Sequence, residues 1–142
     1  MVTSSRASVD ALVIGAGPAG AASAALLARA GFEVLVADRA EFPRDKACSE
    51  YLSPEAVRVL DRLGVVAALE TAGAQPLEGT IVHGPAGARL HGIFGEARPA
   101  PFRPTGLSVA RRVLDAALVR AASAAGAGVL ERTRFEDLVY DG

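Results

Sequence analysis

The segment G15-A-G17-P-A-G20 constrains this chain more than any other feature, because of what flanks it. Asp10 to Ile14 (DALVI) is a short apolar run ending at a glycine, as a buried parallel strand does. Pro18 to Ala30 reads as a helix, with proline tolerated in the first turn and Gly31 suited to the C-terminal cap. Phe32 to Ala37 (FEVLVA) is a second β-branched run. Strand, helix and strand in this order make a βαβ unit, whose crossover is expected to be right-handed. In such a turn Gly15 permits the tight bend, Gly17 lets backbone approach a pyrophosphate, and Gly20 lets helix and strand pack closely. The N–H groups of Ala19 and Gly20, though not Pro18, then face an anion with the helix dipole behind them. Ala16 lies within the same turn. Asp38 closes the second strand, where a carboxylate accepts hydrogen bonds from a ribose hydroxyl.

Ala11 to Ala28 carries no charge, a length that meets the minimum for a spanning helix. Gly15, Gly17, Pro18 and Gly20 in its middle break an apolar helix, so neither a membrane span nor a targeting segment is expected. Half of the residues are hydrophobic (51%) and the net charge is −1, which suits a globular core and argues against a nucleic-acid-binding surface. The single cysteine, Cys48, excludes an internal disulfide and a multi-cysteine metal site, and fits a reducing, cytoplasmic location. Redox chemistry, where present, must then come from a bound cofactor.

Beyond Asp38 the stretch RAEFPRDKACSEY is charged and irregular. Ser53 followed by Pro54 marks a helix start, with Val57, Leu60 and Leu63 as an apolar stripe up to Gly64. Between Ala74 and Thr105 glycines and prolines punctuate two short alternating runs, TIVH and ARLHGIF, expected as antiparallel strands of a separate sheet. Arg111 to Ala125 reads as a helix, Gly128 to Leu130 as a strand returning to the parallel sheet, and Phe135 to Tyr140 as a strand entering a turn at Asp141-Gly142.

These residues resemble the FAD-dependent oxidoreductases that include the aromatic-hydroxylase type of flavin monooxygenase and the geranylgeranyl reductases. After Gly20, the positions Ala24, Leu27, Gly31 and Val34 keep the family's spacing, followed by Asp38 and Arg39, with aspartate where the family more often has glutamate. FPRDKACSEYLSP is similar to the family's P-x-x-K-x-C-G-E-x-L-S-P segment, with Ser49 in place of the glycine, and V109-A-R111-R-V-L-D115 extends the likeness. The resemblance implies an α/β fold, a Rossmann-like doubly wound parallel sheet with part of an antiparallel substrate-domain sheet. It places Arg111 near the FAD phosphates and ribose, Lys46 to Ser49 beside the flavin with Cys48 proximal but not catalytic, and the backbone of Phe135 near the adenine. Arg111 and Arg112 at a helix start are independently better placed with an anion nearby, since a cation there is disfavoured by about 0.3–1 kcal/mol.

On this resemblance residues 1–142 are expected to be an incomplete FAD-binding domain, with 74–105 contributing strands of the substrate sheet. The whole enzyme is expected to be a monooxygenase acting on a small aromatic or apolar substrate with NAD(P)H as reductant. Saturation of an isoprenoid double bond, as in the reductase branch, is the alternative, toward which the CSE segment leans slightly. Family members are longer and carry a Gly-Asp motif that has no match after Tyr140. An inactive fragment, or a nucleotide-binding module completed by a second chain or the C-terminal part of the same enzyme, therefore stays open, as does an NAD-binding module. His83 and His91 have no identifiable partner, Glu50 is the remaining acid-base candidate, and no zinc pattern exists.

Overall fold

Strand β1 (Ala11–Ile14), helix α1 (Pro18–Arg29) and strand β2 (Val34–Ala37) follow one another in a computed structural model that describes residues 8–140. The two strands pair in parallel, with Val13 beside Val36. Strand β8 (Gly128–Leu130) adds to the other edge of β2, so the sheet runs β1-β2-β8 and the Rossmann-like unit is present. Helix α4 (Arg111–Ala124) leads into β8 and packs along α1. Ala21, Ala24 and Ala25 of α1 and Ala117 and Ala122 of α4 are buried in the core the two helices share, and such small side chains allow a close approach of their backbones. Val13, Val36 and Val129 share one sheet face and join the core under these helices. The opposite face presents Leu12 (48% exposed), Ile14 (48%) and Leu130 (43%).

Helix α2 (Pro54–Leu63) begins and ends where its caps predict. Ser53 Oγ accepts a hydrogen bond from the Ala56 N–H, and Gly64 closes the helix in the left-handed region at φ 75°. Val57, Leu60 and Leu63 are buried. A short helix α3 (Val66–Thr71) follows, anchored by Leu69. It has too few residues for a helical period to stand out in the sequence.

The antiparallel part forms two pieces. Strands β3 (Tyr51–Leu52), β4 (Gln75–Leu77) and β7 (Gly106–Ser108) make a sheet in the order β3-β7-β4, while β5 (Gly79–His83) and β6 (Arg89–Ile93) form a hairpin. The expected strands TIVH and ARLHGIF are therefore β5 and β6. Phe135 to Tyr140, by contrast, is not a strand. Among the described residues its alternation has no neighbouring strand to pair with, and Leu138, Val139 and Tyr140 are exposed, so the pattern lacks there the cross-strand contacts that would stabilise it. The turn expected at Asp141-Gly142 lies outside the described residues. Among the described residues no helix is long and apolar enough to cross a membrane.

Candidate functional site

The turn after β1 is built as its glycines require. Gly15 sits at φ 95°, in the left-handed region that a side chain disfavours, and its N–H donates to the Ala37 carbonyl at 2.8 Å. A Cβ on Gly20 would overlap the carbonyl oxygen of Gly15, so only glycine lets α1 start this close to the turn. The first intrahelical bond runs from the Ala21 N–H to the Gly17 carbonyl. The N–H groups of Ala19 and Gly20 precede it and have no acceptor within the helix.

Asp38 locks this turn from the end of β2. Its Oδ2 accepts the Ala16 N–H at 2.7 Å and its Oδ1 accepts the Ala40 N–H at 2.8 Å. Each oxygen keeps lone-pair capacity for a further donor. Ala16 is buried and contributes by this bond, not by facing the cleft. The end of β8 is tied to the same place, because Thr133 N–H donates to the Asp38 carbonyl and Arg132 N–H to the Ala40 carbonyl. An ion pair between Arg132 and Glu41, and the Glu131 carboxylate accepting the Phe42 N–H, complete the tie.

A cleft of about 550 Å³ opens at this junction. Gly15, Gly17, Pro18, Ala19 and Gly20 form its floor, Asp38 and Arg39 one side, and Thr133, Arg134 and Phe135 the far wall. Arg44, Lys46 and Arg111 close the remaining side. Five of the lining side chains are cationic and Asp38 is the one carboxylate among them. The cleft is therefore suited to an anionic ligand lying against a helix N-terminus. A Cβ on Gly17 would stand 3.7 Å from Arg44 Nη2 and 4.0 Å from Arg111 Nη2, so both guanidiniums reach the start of α1.

Two residues that the sequence patterns leave without a role complete the geometry. Asp115, with no exposed surface, receives Arg111 Nε at 2.8 Å and Nη2 at 3.0 Å, and lies 3.4 Å from Arg44 Nη2. The hydrogen bonds that Arg111 donates to Asp115 raise its pKa above the ordinary value. The buried aspartate is thus the anion that makes a cation tolerable at the start of α4, a partner supplied by the chain itself. The i,i+4 spacing of Arg111 and Asp115 is the signal that could have shown it. Arg44 comes from an irregular loop, where no periodicity points to it. Its guanidinium lies 5.1 Å from the Phe42 ring centre and 3.9 Å from Asp38, and its Nε is buried with no hydrogen-bond partner among the described residues.

Cys48 and Ser49 are exposed and do not line this cleft. The strained backbone in the segment is at Glu50 (φ 57°), not at Ser49, which replaces the glycine of the resembling motif. Glu50 lines a neighbouring recess with Lys46 and Arg111, while His83 and His91 are exposed on the hairpin, in neither place. The Cys48 thiol is held below its ordinary pKa by the Glu50 backbone N–H and then by the Arg111 guanidinium. Alkylation with iodoacetamide is accordingly expected to reach half its maximal rate at a lower pH than for free cysteine, and Arg111→Ala to move that midpoint back up. A midpoint equal to that of free cysteine rules out the interaction.

An orphaned buried Arg44 Nε, free helix N-terminal amides and a cation-rich cleft at a βαβ turn fit a dinucleotide with its pyrophosphate over Gly17. Residues 8–142 match the family described as the FAD binding domain. A menaquinone reductase of Mycolicibacterium smegmatis is 40% identical over 136 residues, covering 93% of this chain and 31% of that protein. A menaquinone reductase of Mycobacterium tuberculosis H37Rv is 43% identical over 127 residues, covering 87% of this chain and 29% of that protein. The solved structure of the myxobacterial chondrochloren halogenase CndH, a FAD-dependent halogenase, superposes with a TM-score of 0.82 at 29% identity, covering 94% of this chain and 31% of that one. The chain thus spans about three-tenths of the length of these relatives.

Proposed function

The chain belongs to the FAD binding domain family, and from that premise we propose that it is the cofactor-binding portion of an oxidoreductase that reduces an isoprenoid double bond of a polyprenyl quinone. The observation that carries the cofactor reading is the convergence of Gly17, Arg44 and Arg111 at the start of α1 inside one cationic cleft. The helix amides, Arg44 and Arg111 would hold the pyrophosphate, Asp38 would accept from the adenosine ribose, and Arg39, Arg134 and Phe135 would border the adenine. Lys46, Cys48 and Ser49 would lie toward the flavin. When bound, the isoalloxazine ring supplies the electron transfer, with NAD(P)H as the proposed donor. These residues bind and orient the cofactor, and Asp38 holds the turn closed beneath it. The β5-β6 hairpin, with the paired Val82 and Leu90 exposed on one face, is offered as part of an apolar substrate surface.

The reductase branch is preferred over the monooxygenase because the menaquinone reductases are 40–43% identical across nearly the whole chain. Monooxygenation of a small apolar substrate is the second reading, favoured by the close superposition on a FAD-dependent halogenase.

The test is the visible spectrum of the purified chain after FAD is added and excess removed by gel filtration. A retained flavin spectrum is expected, and a folded chain that keeps none sinks the binding claim. Bleaching by NADH or NADPH without oxygen then tests the donor. In a protein that carries this chain together with its substrate-binding part, mass spectrometry of a polyprenyl quinone product, taken after the ring is fully reoxidised, decides between readings: a retained gain of two hydrogens supports double-bond reduction, and a gain of one oxygen atom selects the monooxygenase.

A further inference from the structure

A carboxylate removed from water is costly unless its oxygens are paired, and both oxygens of Asp115 are paired, with Arg111 across two hydrogen bonds and with Arg44 at 3.4 Å. The two arginines come from unrelated parts of the chain, one from an irregular loop and one from a helix start. They carry like charges, which repel, and long side chains whose rotamers must be frozen before they can meet an anion together. Asp115 is the group they share, and the side chains it gathers are the ones that approach Gly17.

We propose that Asp115 is a positioning residue for anion binding: it holds the guanidiniums of Arg44 and Arg111 as a preformed pair at the start of α1, where a pyrophosphate meets both at once. Preorganisation of this kind strengthens binding by removing the ordering cost from the binding step. The inference rests on the cofactor reading above. Its sign separates it from simple electrostatics. Deleting a negative charge beside an anion site strengthens anion binding if charge alone counts, and weakens it if arrangement counts.

The experiment titrates ADP and FAD into the 142-residue chain by calorimetry, for the wild type, Asp115→Asn, the Arg44→Ala/Arg111→Ala variant and the triple variant, with melting followed without ligand. Asp115→Asn is expected to bind ADP at least ~10-fold more weakly, as when a partner that orients a binding group is lost. It is expected to add little in the background lacking both arginines, because its effect runs through them. Binding by Asp115→Asn that equals or exceeds the wild type overturns the proposal. So does a loss that simply adds to that of the arginine pair, which marks a general structural role. Should Asp115→Asn fail to fold, Arg111→Lys carries the test, since lysine keeps the charge but cannot span both oxygens of Asp115. It is expected to bind nearly as weakly as Arg111→Ala, and wild-type affinity overturns the proposal. A wild type that binds neither ADP nor FAD removes the cofactor reading and this inference with it. A wild type that binds beside an unaffected Asp115→Asn removes the positioning role alone.

Discussion

Gly20→Ala is expected to destabilise the chain by about 3 kcal/mol and to abolish FAD retention, the upper part of the usual range for overpacking. The added methyl would overlap the Gly15 carbonyl oxygen, lie 3.1 Å from the Gly15 carbonyl carbon and 3.3 Å from Val13 Cγ1. Two of those three atoms are backbone, so no rotamer change relieves the contact. Either α1 shifts away from β1 or the turn opens, and each moves the amides that face the cleft. Gly17→Ala is the contrast. Its backbone at φ −69° suits any residue, and its Cβ would meet only the ends of two arginines at ordinary contact distance. That variant is expected to stay folded while its methyl blocks the approach of a pyrophosphate. Denaturant unfolding and flavin retention, measured on both, check the pair. A Gly20→Ala chain as stable as the wild type contradicts the packing account.

Asp38→Ala is expected to cost about 2–4 kcal/mol without any nucleotide present, since it leaves two backbone donors without acceptors at about 1–3 kcal/mol each. One of them, on Ala16, belongs to a residue that is 1% exposed. The other, on Ala40, is partly accessible and should contribute less. Asp38→Asn keeps one acceptor oxygen and is expected to fall between alanine and the wild type. Unfolding in urea without FAD checks the order. If Asp38→Ala stays within about 0.5 kcal/mol of the wild type, as surface substitutions usually do, the carboxylate is not what closes the turn.

The two variants mark different degrees of legibility. The need for glycine at position 20 follows from the sequence once a strand is read before it and a helix after it. The position of Asp38 is legible by the same logic, and its ribose-binding role can be expected. That it also binds the Ala16 and Ala40 amides cannot be read, because those bonds depend on how the loop after β2 curls back. Arg44 and Asp115 show the same limit more sharply. They are 71 residues apart, and their 3.4 Å contact exists only because α4 packs along α1 beside the loop. Phe135 to Tyr140 shows the reverse error, an alternating pattern that is unpaired among the described residues.

What the sequence determined by itself is local: the βαβ turn, the Ser53 and Gly64 caps of α2, and the span of α4. Each depends on backbone conformations and hydrogen bonds among residues close in the chain, which residue type and spacing encode directly. The tertiary structure alone decided which cations meet at the cleft, which buried carboxylate pairs with them, and how the short antiparallel strands group into a sheet and a hairpin. Those outcomes depend on contacts between distant segments, whose free energy is realised only when the packed helices bring them together and exclude water.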